Sequence, residues 1–123
     1  MKNKILLVVS ILAGLMLLNS GLNKLFQYMP MPELTPEQLR LFGAMATITW
    51  LMPLVGIAEA IGGALMVIPK TRLIGALINF PVMIGAVIHH LVFDPSTVVA
   101  ALICLLVIVW IFVENRAKLL QLL

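Results

Sequence analysis

"VGIAEAIGGALMVIPKTR" spans Val55–Arg72. A single carboxylate, Glu59, stands in the middle of an apolar run several helical turns long, and the run closes on a short basic segment, Pro69-Lys70-Thr71-Arg72. Apolar residues at this density, with no polar face, read as a helix surrounded by lipid. The proline and the two basic residues mark where that helix leaves the lipid. A second apolar run starts at once at Leu73, so two neighbouring helices are joined by a turn of a few residues.

The whole chain repeats the pattern. Of its 123 residues, 63% are hydrophobic and 11% charged, and the mean hydropathy is +1.17. A small soluble domain cannot hide so much apolar surface, because roughly a third of it stays in contact with solvent. Four apolar stretches stand out: residues 5–23, 48–68, 73–93 and 97–113. A bilayer crossing needs about 20 apolar residues, with a range of about 17–25. Backbone groups in lipid find partners only within their own segment, so each stretch is expected to be helical. The expected fold class is all-α: an integral membrane four-helix bundle, antiparallel and up-down, forming one transmembrane domain.

The second stretch has an apolar forerunner from about Leu41 and its own start signal, "LTPEQLRLF". Thr35 reads as an N-cap, Pro36 as the first helical residue, and Gln38 completes a capping box. A short interfacial helical extension is expected there. Pro53 is expected to kink the helix after it, and Trp50 to sit at the membrane interface. The opening "MKNKILLVVSILAGLMLLNSG" has lysines and an apolar stretch but no small-x-small cleavage site, so it reads as an uncleaved span.

Lys2, Lys4, Lys70, Arg72, Arg116 and Lys118 fall on one side of this topology, and Lys24 and Arg40 on the other. The positive-inside rule then puts both termini in the cytoplasm of a bacterial cell, with a multi-pass protein in its inner membrane. Basic residues scattered in small groups between apolar runs argue against a nucleic-acid partner. The lone cysteine, Cys104, cannot pair within the chain and reads as a packed thiol. No phosphate-binding loop, dinucleotide glycine pattern or HExxH is present.

Polar residues inside the spans are the candidates for function. Glu59 lies about ten residues from the inner end of its span, roughly 15 Å into a ~30 Å core. A charged acid at that depth costs about 2.5–3.5 kcal/mol unless it finds a partner or is protonated. Gly56 and Gly63 share its face and admit a close neighbour, so Glu59 is expected to point inward. On the third span Arg72, Asn79, Met83, Ala86 and His90 share one face. His89 points about 100° away from His90, which makes His90 the better interior residue. Lys24, near the outer end of the first span, either snorkels to the surface or turns inward to an acid. Asn19, Lys24, Trp50, His90 and Asp94 are expected to gather in an outer pocket above Glu59. Two adjacent histidines without a third ligand make no metal site.

Two stretches resemble a known family. "LLNSGLNKL" (Leu17–Leu25) is similar to the end of the first span in the DoxX family, where a small residue, Gly and Lys recur. "EAIGGALMVIPKTRLIGALI" (Glu59–Ile78) is similar to that family's Glu, Gly pair, aliphatic run, basic turn and third span, and a late histidine follows. Many relatives open the first span with an arginine, where this chain has only Lys4 nearby. The resemblance implies a four-helix bacterial membrane protein, with Lys24, Glu59 and His90 as candidate functional residues and His89 as their neighbour. Some members are linked to membrane oxidoreductase systems, including the quinone-reducing subunit of thiosulfate oxidation.

Three functions stay open at this point. One is an accessory subunit of a quinone-linked redox system, with Glu59, His90 and Lys24 handling protons or hydrogen-bonding a quinone, and Asn19, Trp50, His89 and Asp94 around it. Quinone is then the one cofactor implied, since no haem, flavin or metal motif is present, and a membrane or periplasmic redox protein is the partner. The second is a scaffold or assembly factor whose polar residues lock the helices. The third is a small proton-coupled transporter. Small exporters of that kind place their essential Glu in the first span, and this first span has none.

Overall fold

The computed structural model describes residues 2–28, 33–93, 95 and 98–122, and among them the regular structure is entirely helical. Helix α1 is Lys2–Phe26, α2 Pro36–Thr47, α3 Leu51–Val67, α4 Arg72–Phe93, α5 Val98–Glu114 and α6 Arg116–Gln121. One 3-10 turn, Pro69–Thr71, joins α3 to α4. There the Thr71 hydroxyl donates to the Leu65 carbonyl at 2.7 Å, tying the turn to the end of α3.

Helices α1 and α4 are long and apolar enough to cross a membrane. Helices α2 and α3 pass the same test only together, and they are bent by 90° at the break between them. Helix α5 is a shorter apolar helix of 17 residues. Large apolar side chains lie exposed on the outward face of each of these helices, among them Val8 and Leu12, Leu54 and Ile61, Ile74 and Ile88, and Leu102 and Leu106. A water-soluble helix keeps charges on that face. The inverted surface belongs to a protein solvated by lipid.

The capping box forms as the sequence requires. Gln38 N–H donates to Thr35 Oγ1 at 3.2 Å, and Thr35 N–H donates to Gln38 Oε1 at 3.0 Å. The expected kink at Pro53 does not occur. The chain breaks earlier, at Ile48–Trp50, and Pro53 sits in the first turn of α3. The first N–H groups of a helix have no intrahelical acceptor, so a proline there removes nothing the helix needs.

Helix α1 packs on α3 and α5, and α4 packs on α3 and α5, so the four long apolar helices close a ring. The α1–α3 seam is built on glycine. Gly14 and Gly63 lie so close that a Cβ on either would meet the other's carbonyl oxygen at 2.6 Å. Farther along, a Cβ on Gly21 would lie 2.5 Å from the Gly56 carbonyl oxygen and the Ala60 nitrogen. The two helices therefore run in opposite directions, backbone against backbone. Below the site the core is filled by Leu6, Ala13 and Leu17 of α1, Met66 of α3, Ala76 and Met83 of α4, and Cys104, Ile108 and Ile111 of α5. Phe80 and Phe112 meet edge to face at 5.1 Å across α4 and α5.

Candidate functional site

The glycine seam positions the charged residues. Where Gly56 faces α1, the stem of Lys24 lies against it, with Lys24 Cβ 3.1 Å from where a Gly56 Cβ would be. Glu59 follows one helical turn later on the same face of α3. Lys24 thus reaches back along α3, and its Nζ donates to Glu59 Oε2 at 2.6 Å. Ser20, one turn before Lys24 on α1, completes a triangle. Its hydroxyl accepts from Lys24 Nζ at 2.9 Å and donates to Glu59 Oε2 at 3.4 Å. Glu59 is only 4% exposed, while the Lys24 side chain keeps 26% exposure. The acid in lipid thus has a charged partner, and Lys24 turns inward rather than snorkelling.

Two cavities meet at this pair. The larger, of about 570 Å³, is a half-open space between α2, α3 and α4, with Phe42, Met45, Met52, Val55, Pro81 and Val82 as apolar walls. Lys24, Glu59, His89 and His90 form its polar side. The smaller, of about 170 Å³, lies among α1, α3, α4 and α5 and is lined by Ser20, Met83, Ala101 and Cys104. Lys24, Glu59, Ala86 and His90 line both.

The residues singled out from the sequence divide as follows. Glu59, Lys24 and His90 come together at the wall shared by the cavities. His89 lines the larger one alone, its ring 5.5 Å from that of His90 and 6.0 Å from that of Phe42. Trp50 does not join them: it lies in the turn before α3, 64% exposed, and lines neither cavity. Asn19 is on the outside of α1, where Tyr28 donates its hydroxyl to the Asn19 side chain and backbone oxygens. Asp94 lies outside the described residues. Among the described residues, no group of three or more His, Cys, Asp or Glu gathers to hold a metal ion.

Three contributors were not singled out as site residues. Ser20 had a readable signal, its four-residue spacing from Lys24. Phe42 and Cys104 had none, because an apolar or thiol side chain that lines a cavity looks the same in sequence as one that packs a core. Deeper in the protein, Asn79 is fully buried. Its Nδ2 donates to the Met66 sulfur at 3.8 Å, and its Oδ1 has no partner among the described residues.

No curated protein and no solved structure matches the chain. A family does: the match runs over residues 8–112, from the second turn of α1 to the last turn of α5, and takes in Ser20, Lys24, Glu59, His89, His90 and Cys104. The chain belongs to the DoxX-like family, and its apolar helices are those of a membrane protein.

Proposed function

We propose that this protein is a quinone-linked accessory subunit of a membrane redox system in the bacterial cytoplasmic membrane. In this reading α1, α3, α4 and α5 cross the bilayer as an antiparallel four-helix bundle, both termini are cytoplasmic, and α2 lies along the outer interface. The observation that carries it is the Lys24–Glu59 pair, set in apolar surroundings and forming one wall of a 570 Å³ cavity. Pockets for small organic ligands are commonly ~300–1,000 Å³, mostly apolar, with a few convergent polar groups. A quinone ring fits such a space, with its apolar tail continuing into lipid.

In the mechanism, the apolar walls hold the ring, and Lys24 and His90 donate hydrogen bonds to its oxygens. Glu59 holds a proton within reach of the same oxygens. The electrons come from a membrane or periplasmic redox protein, because reduction of a quinone takes up two electrons and two protons. The pair also supports a second reading. It ties α1 to α3, which is what a scaffold or assembly factor would need from its polar residues.

Extraction from native membranes in mild detergent separates the two. The redox reading expects bound quinone and a redox enzyme to co-purify. It also expects Glu59→Gln to keep both while slowing quinone reduction at least tenfold. Recovery of a partner without quinone, at an unchanged rate in Glu59→Gln, contradicts it and supports the scaffold.

A further inference from the structure

The smaller cavity is not needed to hold the ring, yet it reaches the same carboxylate. Each helix around it supplies a polar group: Ser20 and Lys24 from α1, Glu59 from α3, His90 from α4 and Cys104 from α5. Cavities lined by apolar groups alone stay dry, whereas a space with two to four polar partners holds water. At ~30 Å³ per molecule of liquid, 170 Å³ has room for several.

Glu59 itself supplies the second observation. The hydrogen bonds from Lys24 and Ser20 both land on Oε2. Glu59 is 4% exposed and lines this cavity. A carboxylate held so deep is stabilised by donors to its oxygens, and water in the cavity that it lines supplies such a donor.

We infer that the smaller cavity is a water-binding chamber that delivers protons to Glu59 from the end of the helices where α5 begins. Ala100 and Ala101, in the first turn of α5, form that end of its wall. A proton passes from chamber water to Glu59 Oε1, and bulk water restores the chamber. The same proton then leaves Glu59 for the ligand oxygen across the shared wall. Two such passes match the two electrons from the redox partner. Lys24, 2.6 Å away, compensates the carboxylate between passes. The destination of the proton rests on the quinone reading, while the hydration of the chamber does not.

The test uses the full chain in lipid nanodiscs. Infrared difference spectra after a pH jump follow protonation of Glu59, whose band is assigned by its loss in Glu59→Gln. Ala101 lines only the smaller cavity, and Gly85 lines only the larger one, where an added Cβ would meet nothing within 4 Å. Ala101→Leu is expected to slow protonation at least tenfold with quinone binding unchanged. Gly85→Leu is expected to leave the protonation rate unchanged. If Ala101→Leu does not fold, Ala100→Leu narrows the same space. Equal rates in all the proteins, or slowing by Gly85→Leu instead, overturns the chamber. Quinone binding that survives Gly85→Leu counts against the ligand cavity alone and leaves the chamber standing.

Discussion

Glycine does opposite work in two regions of this protein. Along the α1–α3 seam, Gly14, Gly21, Gly56 and Gly63 are there because the backbones touch. At the rim of the larger cavity and on α2, Gly85 and Gly43 have nothing within 4 Å of where a Cβ would stand. The first region is closed and holds Lys24 against Glu59. The second is open and gives that pair something to face. A glycine in a membrane helix therefore reports a close neighbour or an open space, and only the partner helix decides which.

The comparison breaks most severely at the seam. Gly63→Leu would drive its side chain into the α1 backbone, where even a Cβ lies 2.5 Å from the Leu18 nitrogen. Backbone cannot yield as a side-chain tip can, so α1 must leave α3. The expected result is loss of the folded monomer in detergent, read as a collapsed size-exclusion peak or a thermal transition too low to measure. A normal peak and midpoint would show that the seam is not what holds the site.

The next effect is electrostatic. Lys24→Met leaves Glu59 buried without its cation, and removing one partner of a buried pair costs about 3 kcal/mol. Lys24→Met with Glu59→Leu removes both charges and is expected to recover most of that loss, since an apolar replacement of a buried pair is often neutral. Unfolding in a mixed-micelle denaturant series measures both. A double variant as unstable as the single one would mean that Lys24 acts by packing along Gly56 rather than by charge.

The smallest effect sharpens the open side. Gly43 is exposed in the interior of α2, so Gly43→Ala should stabilise that helix by about 0.5–1 kcal/mol through propensity alone. The check is slower amide hydrogen exchange confined to α2. Destabilisation would mean that α2 needs this glycine for a contact the open rim does not provide.

How much of this was legible in the sequence depended on whether a signal was local. The capping box at Thr35 and Gln38 is three residues long and reads directly. The inward direction of Glu59 followed from its energetic penalty and from the glycines at helical spacing beside it, whereas the 100° between neighbours, which favoured His90, did not keep His89 from lining the larger cavity as well. The second stretch was read from residue 48, beside the break at Ile48–Trp50, and only the kink was misplaced, at Pro53, because a proline's effect depends on its distance from the helix start. Trp50 and Asn19 were drawn into the pocket by proximity in depth, and they lie on other faces. The two cavities had no signal at all: each is bounded by residues from at least three helices, and apolar walls are written like a core.

The most direct test of the central claim is labelling with a photoreactive benzoquinone analogue in nanodiscs, mapped by mass spectrometry. Ligand held beside the Lys24–Glu59 pair predicts adducts on Phe42, Met52 and Val82, lost in Gly85→Leu and competed by unlabelled quinone. Adducts spread over the outward Leu54, Ile57 and Leu106, unaffected by Gly85→Leu or by competitor, would show that the quinone dissolves in the surrounding lipid and that this cavity is not its site.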